Sequence, residues 1–213
     1  MFRSLAAVSL AFAASSVASA GLWVVGHDGN PDFNSVQDAF GDVRLQDGDI
    51  LRILSGSYGG FDTGDKAVTI EPGNSPGIVQ FSGNVRVRAN STTNFEIAGH
   101  NSGLIAGPVE FDQFIVAGNV NYEGTLGIRL TNGFTPANGD AWALIQASGT
   151  IAFSGMTNLP SLGNGLSWNI QVLSGSSVYG SAGSSLVASV VPAPGAAALV
   201  GLAGLATTRR RRA

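Results

Sequence analysis

Short apolar runs of about five residues, cut by Gly, Asn, Asp and Pro, recur along most of the chain. Leu22–Val25, Ile50–Leu54, Ala67–Glu71, Ile78–Ser82, Val85–Ala89 and Phe95–Ala98 read as strands, followed by Gly103–Ala106, Gln113–Ala117, Val120–Tyr122 and Thr125–Leu130. In Val85-Arg86-Val87-Arg88 the period is two, which turns the valines inward and the arginines outward. One segment has a different period. Val36, Ala39, Phe40 and Val43 fall at i, i+3, i+4 and i+7, one face of a short helix, with Asp32 or Asn34 placed to cap it. The chain is therefore expected to be all-β with one short N-terminal helix. From the residues alone, a solenoid and a β-sandwich have the same turn frequency.

The two ends follow neither pattern. Met1-Phe2-Arg3 carries one positive charge, Leu5–Phe12 is apolar apart from one serine, and Ala18-Ser19-Ala20 is a small-x-small cleavage site. That is the layout of a signal peptide over residues 1–20, with Gly21 as the mature start. At the other end, Pro192-Ala193-Pro194-Gly195 leads into an apolar run, 196–208, and then Arg209, Arg210, Arg211 and Arg212. Four arginines cross a bilayer at high cost, so they stay on the cytoplasmic side and the preceding chain lies outside. As a helix the apolar run would measure about 20 Å, short of a hydrocarbon core of about 30 Å. It suits a transient membrane segment better than a permanent anchor. The prolines hold the junction extended, in reach of a processing enzyme.

Composition sharpens this picture. Glycine is 30 of 213 residues and charged residues are 12%, the make-up of short strands and tight turns. Between the two terminal segments lie all 14 acidic residues and six basic ones (Arg44, Arg52, Lys66, Arg86, Arg88, Arg129), a net charge of −8. An acidic exterior excludes nucleic acid as the expected partner. The chain has no cysteine, so disulfides and thiol chemistry are excluded too.

Three stretches carry resemblances. The tail, with its proline pair, apolar run and arginine cluster in order, resembles the PEP-CTERM sorting signal of exosortase substrates, with Ala193 where the family usually has glutamate. The resemblance implies export, transient anchoring in the inner membrane, an exosortase-type sorting enzyme as partner, and a final place in the cell envelope, at the surface or in the extracellular matrix. Residues 33–58 join a short helix, Asp47-Gly48-Asp49, an apolar strand and Gly56-Ser57-Tyr58. They resemble the opening of pectin-lyase-like proteins, which implies a right-handed parallel β-helix over 21–110 with the helix as its cap. Phe111–Gly118, Gly133–Asp140 and Gly165-Leu166-Ser167-Trp168 resemble the C-terminal β module of autotransporter-like surface proteins. That implies an all-β module over 111–173, continuing or stacking on the solenoid, with a Ser/Gly-rich linker at 174–190 before the sorting signal at 191–213.

Candidate chemistry is thin. His27 and His100 lack metal-ligand neighbours at useful spacing, and no Gly-x-Ser-x-Gly elbow is present. No catalytic, cofactor or metal residue is assigned. Asp28-Gly29-Asn30 and Asp62-Thr63-Gly64-Asp65 are the best local candidates for Ca²⁺, without a complete loop motif. Threonines are not ranked beyond Thr92-Thr93, which argues against an ice-binding face. The expected function is structural or adhesive, with exopolysaccharide met by exposed aromatics among Tyr58, Phe61, Tyr122 and Tyr179. The alternative is a small polysaccharide lyase or hydrolase built on Arg86, Arg88 and the N-terminal aspartates.

Overall fold

The computed structural model describes residues 19–74, 76–175 and 177–195. The elements run β1 (Leu22–Val25), α1 (Val36–Gly41), β2 (Ile50–Ile53), β3 (Gly56–Tyr58), β4 (Phe61–Asp62), β5 (Thr69–Pro72), β6 (Ile78–Phe81) and β7 (Val85–Val87). They continue as β8 (Thr92–Ile97), β9 (Gln113–Val116), β10 (Val120–Tyr122), β11 (Thr125–Leu130), β12 (Ala141–Ala147), β13 (Ile151–Phe153), β14 (Met156–Asn158), β15 (Leu166–Ser174) and β16 (Ser184–Pro192).

Every third strand stacks on its predecessor. The first face reads β1-β2-β5-β8-β11-β14, the second β3-β6-β9-β12-β16-β15 and the third β4-β7-β10-β13. All pairings are parallel until β16, which turns back antiparallel on β12 and is itself paired by β15. This is a parallel β-solenoid of about four turns. Because β9 pairs with β6 and β11 with β8, the module expected at 111–173 continues the same solenoid through β14.

Side chains alternate as the pleat demands. Leu51, Ile70, Thr93 and Leu126 stack in one inward column, and Phe95 and Ile128 pair in another, all buried. Phe61, Phe81, Phe114 and Phe95 form a chain of rings down the axis, with centroids 5.1, 5.1 and 5.2 Å apart. At the corner between the second and third faces the turns Gly83-Asn84 and Gly118-Asn119 stack. Asn84 Oδ1 accepts from Asn119 N at 2.8 Å, and Asn119 Oδ1 from Thr150 N at 2.9 Å. Gly60 sits at the same corner, and a Cβ there would fall on the Asn84 backbone. The recurring Gly-Asn turn is therefore a coil-to-coil ladder and not merely a chain reversal.

α1 closes the N-terminal end. Val36, Ala39 and Phe40 are buried, and the Phe40 ring stacks on Phe61 at 5.6 Å. Its cap is Ser35, whose Oγ accepts from Asp38 N at 3.2 Å; Asp32 instead accepts from Val24 N. The helix ends at Gly41, so Val43, expected on the buried face, is 82% exposed.

Two other expectations change. Gly103–Ala106 is a loop, because Gly103 and Gly107 take φ of 69° and 90°, which an extended ladder does not admit, and Ile105 is fully exposed. The stretch 174–190 is not a linker. Leu186, Ala188 and Val190 alternate inward along β16, a period of two hidden among serines and glycines. No helix of the described residues is long and apolar enough to cross a membrane. The signal-peptide core with Ala18, the apolar run and Arg209–Arg212 lie outside the described residues.

Candidate functional site

The third face brings together Asp62 and Arg86, with Arg88 just beyond β7, three of the residues on which the lyase alternative is built. β4 and β7 place Asp62 beside Arg86, and β10 places Asn121 beyond it. A shallow groove of about 400 Å³ runs beside them, lined by Gln37, Gly60, Phe61, Asp62, Asn84 and Arg86. The two basic residues are not free within it. Arg88 donates to both Asp62 oxygens at 2.8 and 3.0 Å, with Asp65 at 3.5 Å. Arg86 donates to Glu123 Oε1 at 2.9 Å, which also takes Asn121 Nδ2 at 2.8 Å.

Donating to the Asp62 carboxylate raises the Arg88 pKa above an already high value. The same bond lowers that of Asp62. A guanidinium held charged in this way cannot take a proton from a sugar ring near neutral pH. Arg86 and Arg88 form an ion-pair network linking successive coils.

Of the Ca²⁺ candidates, Asp62 is committed to the same network. Asp62 spends its oxygens on Arg88 and on Gly64 N at 2.8 Å. In Asp28-Gly29-Asn30, φ values of 78° and 66° at Gly29 and Asn30 make a tight turn. Asp47 and Asp49 act as turn residues: Asp47 Oδ1 accepts from Ala67 N at 2.8 Å, and Asp49 from Gln46 N at 2.9 Å. Among the described residues no group of three or more His, Asp or Glu side chains could hold a metal.

Three of the four aromatic candidates face inward. Tyr58, Phe61 and Tyr122 are buried on β3, β4 and β10, where the strand period turns them to the core. Tyr179, in the β15–β16 connection, is 38% exposed and remains available.

Two features were illegible in the sequence. On the first face Glu71 takes Arg52 at 2.7 Å and Arg129 at 2.9 Å. Beside this cluster Thr69, Thr92 and Thr125 stack in one outward column, although they look scattered along the chain. The neighbouring outward positions, the pair Arg52 and Glu71 and the run Asn94, Gly127 and Asn158, are charged and uneven, so the threonines make one rank and not a flat face. At the corner between the first and second faces, the long connections of the third and fourth coils meet. His100 contacts Asp140 at 3.0 Å and stacks on Trp142 at 5.7 Å.

The stretch expected to be the sorting motif begins inside the fold. Pro192 is the last residue of β16, paired with Leu166, and Ala193 N donates to Gly165 O at 2.7 Å. Pro194 and Gly195 are exposed, as is Ala20 at the other end. A scan against protein-family models finds no match, and a search of curated proteins finds none either.

Proposed function

We propose that this chain is an exported structural or adhesive protein of the cell envelope, a right-handed β-solenoid presented outside the membrane. An exosortase-type enzyme sorts it through its PEP-CTERM-like tail. The observation that carries this reading is the place where the last described strand ends. β16 ends at Pro192, Ala193 is tied to Gly165, and the exposed Pro194-Gly195 leads directly into the apolar run and the arginines. The segment a processing enzyme must grip follows directly on β16, which supports cleavage at or beyond Pro194.

Deleting residues 194–213 leaves β16 intact and should send the protein into the medium. Immunoblotting of medium and envelope fractions checks this, and a truncated chain still held in the envelope would sink the sorting reading. The adhesive role predicts binding without turnover. The mature protein should be retained on at least one acidic or neutral polysaccharide from a panel, releasing no oligosaccharide. Released unsaturated product that is lost in Arg86→Ala would make the chain a lyase.

A further inference from the structure

Gly21 occupies a prepared position. Its carbonyl accepts from Ile50 N at 2.8 Å, which sets it in the ladder ahead of β1. Its own N–H donates to Asp49 Oδ1 at 2.6 Å. The other oxygen of Asp49 takes Trp23 Nε1 at 2.8 Å and Gln46 N at 2.9 Å. Asp49 is 7% exposed and has no ion-pair partner among the described residues. The charged groups around it are engaged elsewhere. Lys66 Nζ is held by the Asp42 and Leu45 carbonyls, Asp47 by Ala67 N, and Arg44 by Asp42 while lying 5.4 Å over the Trp23 ring. Burial opposes ionisation of Asp49, but the N–H groups of Gln46, Gly21 and Trp23, with the charge of Lys66, bring its pKa below the ordinary value; it is a settled carboxylate that points at the nitrogen that signal-peptide removal would free.

We propose that Asp49 is the receptor for the mature amino terminus: cleavage after Ala20 converts the Gly21 amide into an ammonium that pairs with Asp49 and locks the N-terminal coil. The inference rests on the signal-peptide reading. In the cleavage the Ala20–Gly21 C–N bond breaks, water supplies hydroxyl to the Ala20 carbonyl carbon and a proton to the Gly21 nitrogen, and the resulting acid and amine exchange a proton to become carboxylate and ammonium. An amide N–H already makes the contact; processing adds a full charge to it. The solenoid thus becomes most stable after it has left the cytoplasm.

The partner carboxylate favours the charged amine, so the folded chain keeps that proton to higher pH than the unfolded chain does. The stabilisation is full between the acid range in which Asp49 takes a proton and about pH 8, the ordinary range of an α-amine, and disappears as pH rises through the folded value of the amine.

The test compares two forms of the mature chain to Ala213 in detergent, one starting at Gly21 and one retaining Ser19-Ala20. At pH 7 the Gly21 form should melt about 5 °C higher, and the gap should close by about pH 10.5. Acetylating Gly21 keeps one N–H and removes the charge, so it should lower the melting temperature to that of the extended chain. Asp49→Asn should abolish the difference between the two starts. Equal melting of the two starts at pH 7, or a gap that survives acetylation, overturns the proposal. Sequencing the amino terminus of the exported protein reports on the premise separately. A start other than Gly21 overturns both the cleavage reading and this proposal, whereas a Gly21 start with equal melting overturns the proposal alone.

Discussion

Trp142→Ala should lower the unfolding free energy by about 3–5 kcal/mol, the largest effect expected of any single truncation in this fold. Trp142 lies on β12 and is 1% exposed. Its ring touches His100 at 5.7 Å, Phe134 at 5.9 Å and Trp168 at 5.8 Å. Those partners come from the third-coil connection, the fourth-coil connection and β15, three segments that no single ladder joins. Its Nε1 also donates to Gly99 O at 2.7 Å in a buried setting. Alanine would leave a cavity and a buried carbonyl without its donor, and the second loss alone is worth about 1–3 kcal/mol. Trp142→Phe keeps most of the packing and loses the N–H, so it should cost about 1–3 kcal/mol. Urea unfolding monitored by far-UV circular dichroism checks both. A loss below about 1 kcal/mol for the alanine variant would mean that this corner is not part of the cooperative core.

The second large effect is a loss of stability between mildly acidic and mildly basic pH, caused by one carboxyl. Asp112 is 1% exposed where the third-coil connection returns to β9. Oδ1 accepts from Gly77 N at 2.7 Å and Oδ2 from Glu96 N at 2.8 Å, which ties the second coil to the third. Burial pushes its pKa up to about 8, and the charges of Glu96 and Glu71 add to the rise, although both backbone N–H groups favour the ionised form.

The folded chain therefore holds this proton to about pH 8, while the unfolded chain releases it near pH 4. Stability from this group is fully present below pH 4, falls as pH rises toward 8 and is then flat. The drop is on the order of 5 kcal/mol when a shift of four units is converted at about 1.4 kcal/mol each. Asp112→Asn stays neutral and should flatten that slope. It should also start from a lower stability, because its amide nitrogen faces a backbone donor. Urea titrations at pH 5, 6, 7 and 8 on both chains separate the two effects. An unchanged slope in Asp112→Asn would assign the pH dependence to other groups.

Much of the solenoid was legible because its inward columns are chemically simple. Val85, Val87, Val120 and Tyr122 alternate with polar residues, and the structure places all four in the core. The cap was legible for the same reason, since Val36, Ala39 and Phe40 share a helical face. The first half of β8 was missed because Thr92-Thr93-Asn94 carries no apolar residue; Thr93 is nonetheless inward and fully buried. β16 was missed because Ser184, Ser185 and Ser189 mask its period.

The candidate site was less legible, for a reason inherent in solenoids. Function there lies in columns whose members sit a whole coil apart in sequence. Glu71 meets Arg129 across 58 residues, and Arg86 meets Glu123 across 37. Without the register, an arginine paired with a carboxylate is indistinguishable from one waiting for a substrate.

The way the chain leaves the solenoid has a mechanical consequence. β16 is held along its length on both sides, by nine residue pairs with β15 and six with β12, and the exit follows Pro192 at its end. A pull on the tail along the strand axis loads these two ladders together, in shear, because antiparallel hydrogen bonds lie across the strand. Had the chain left from the third face at β13, the same pull would have met one short ladder of three pairs. Under the proposed tethering through the tail, the domain would meet drag with its most extensively paired strand.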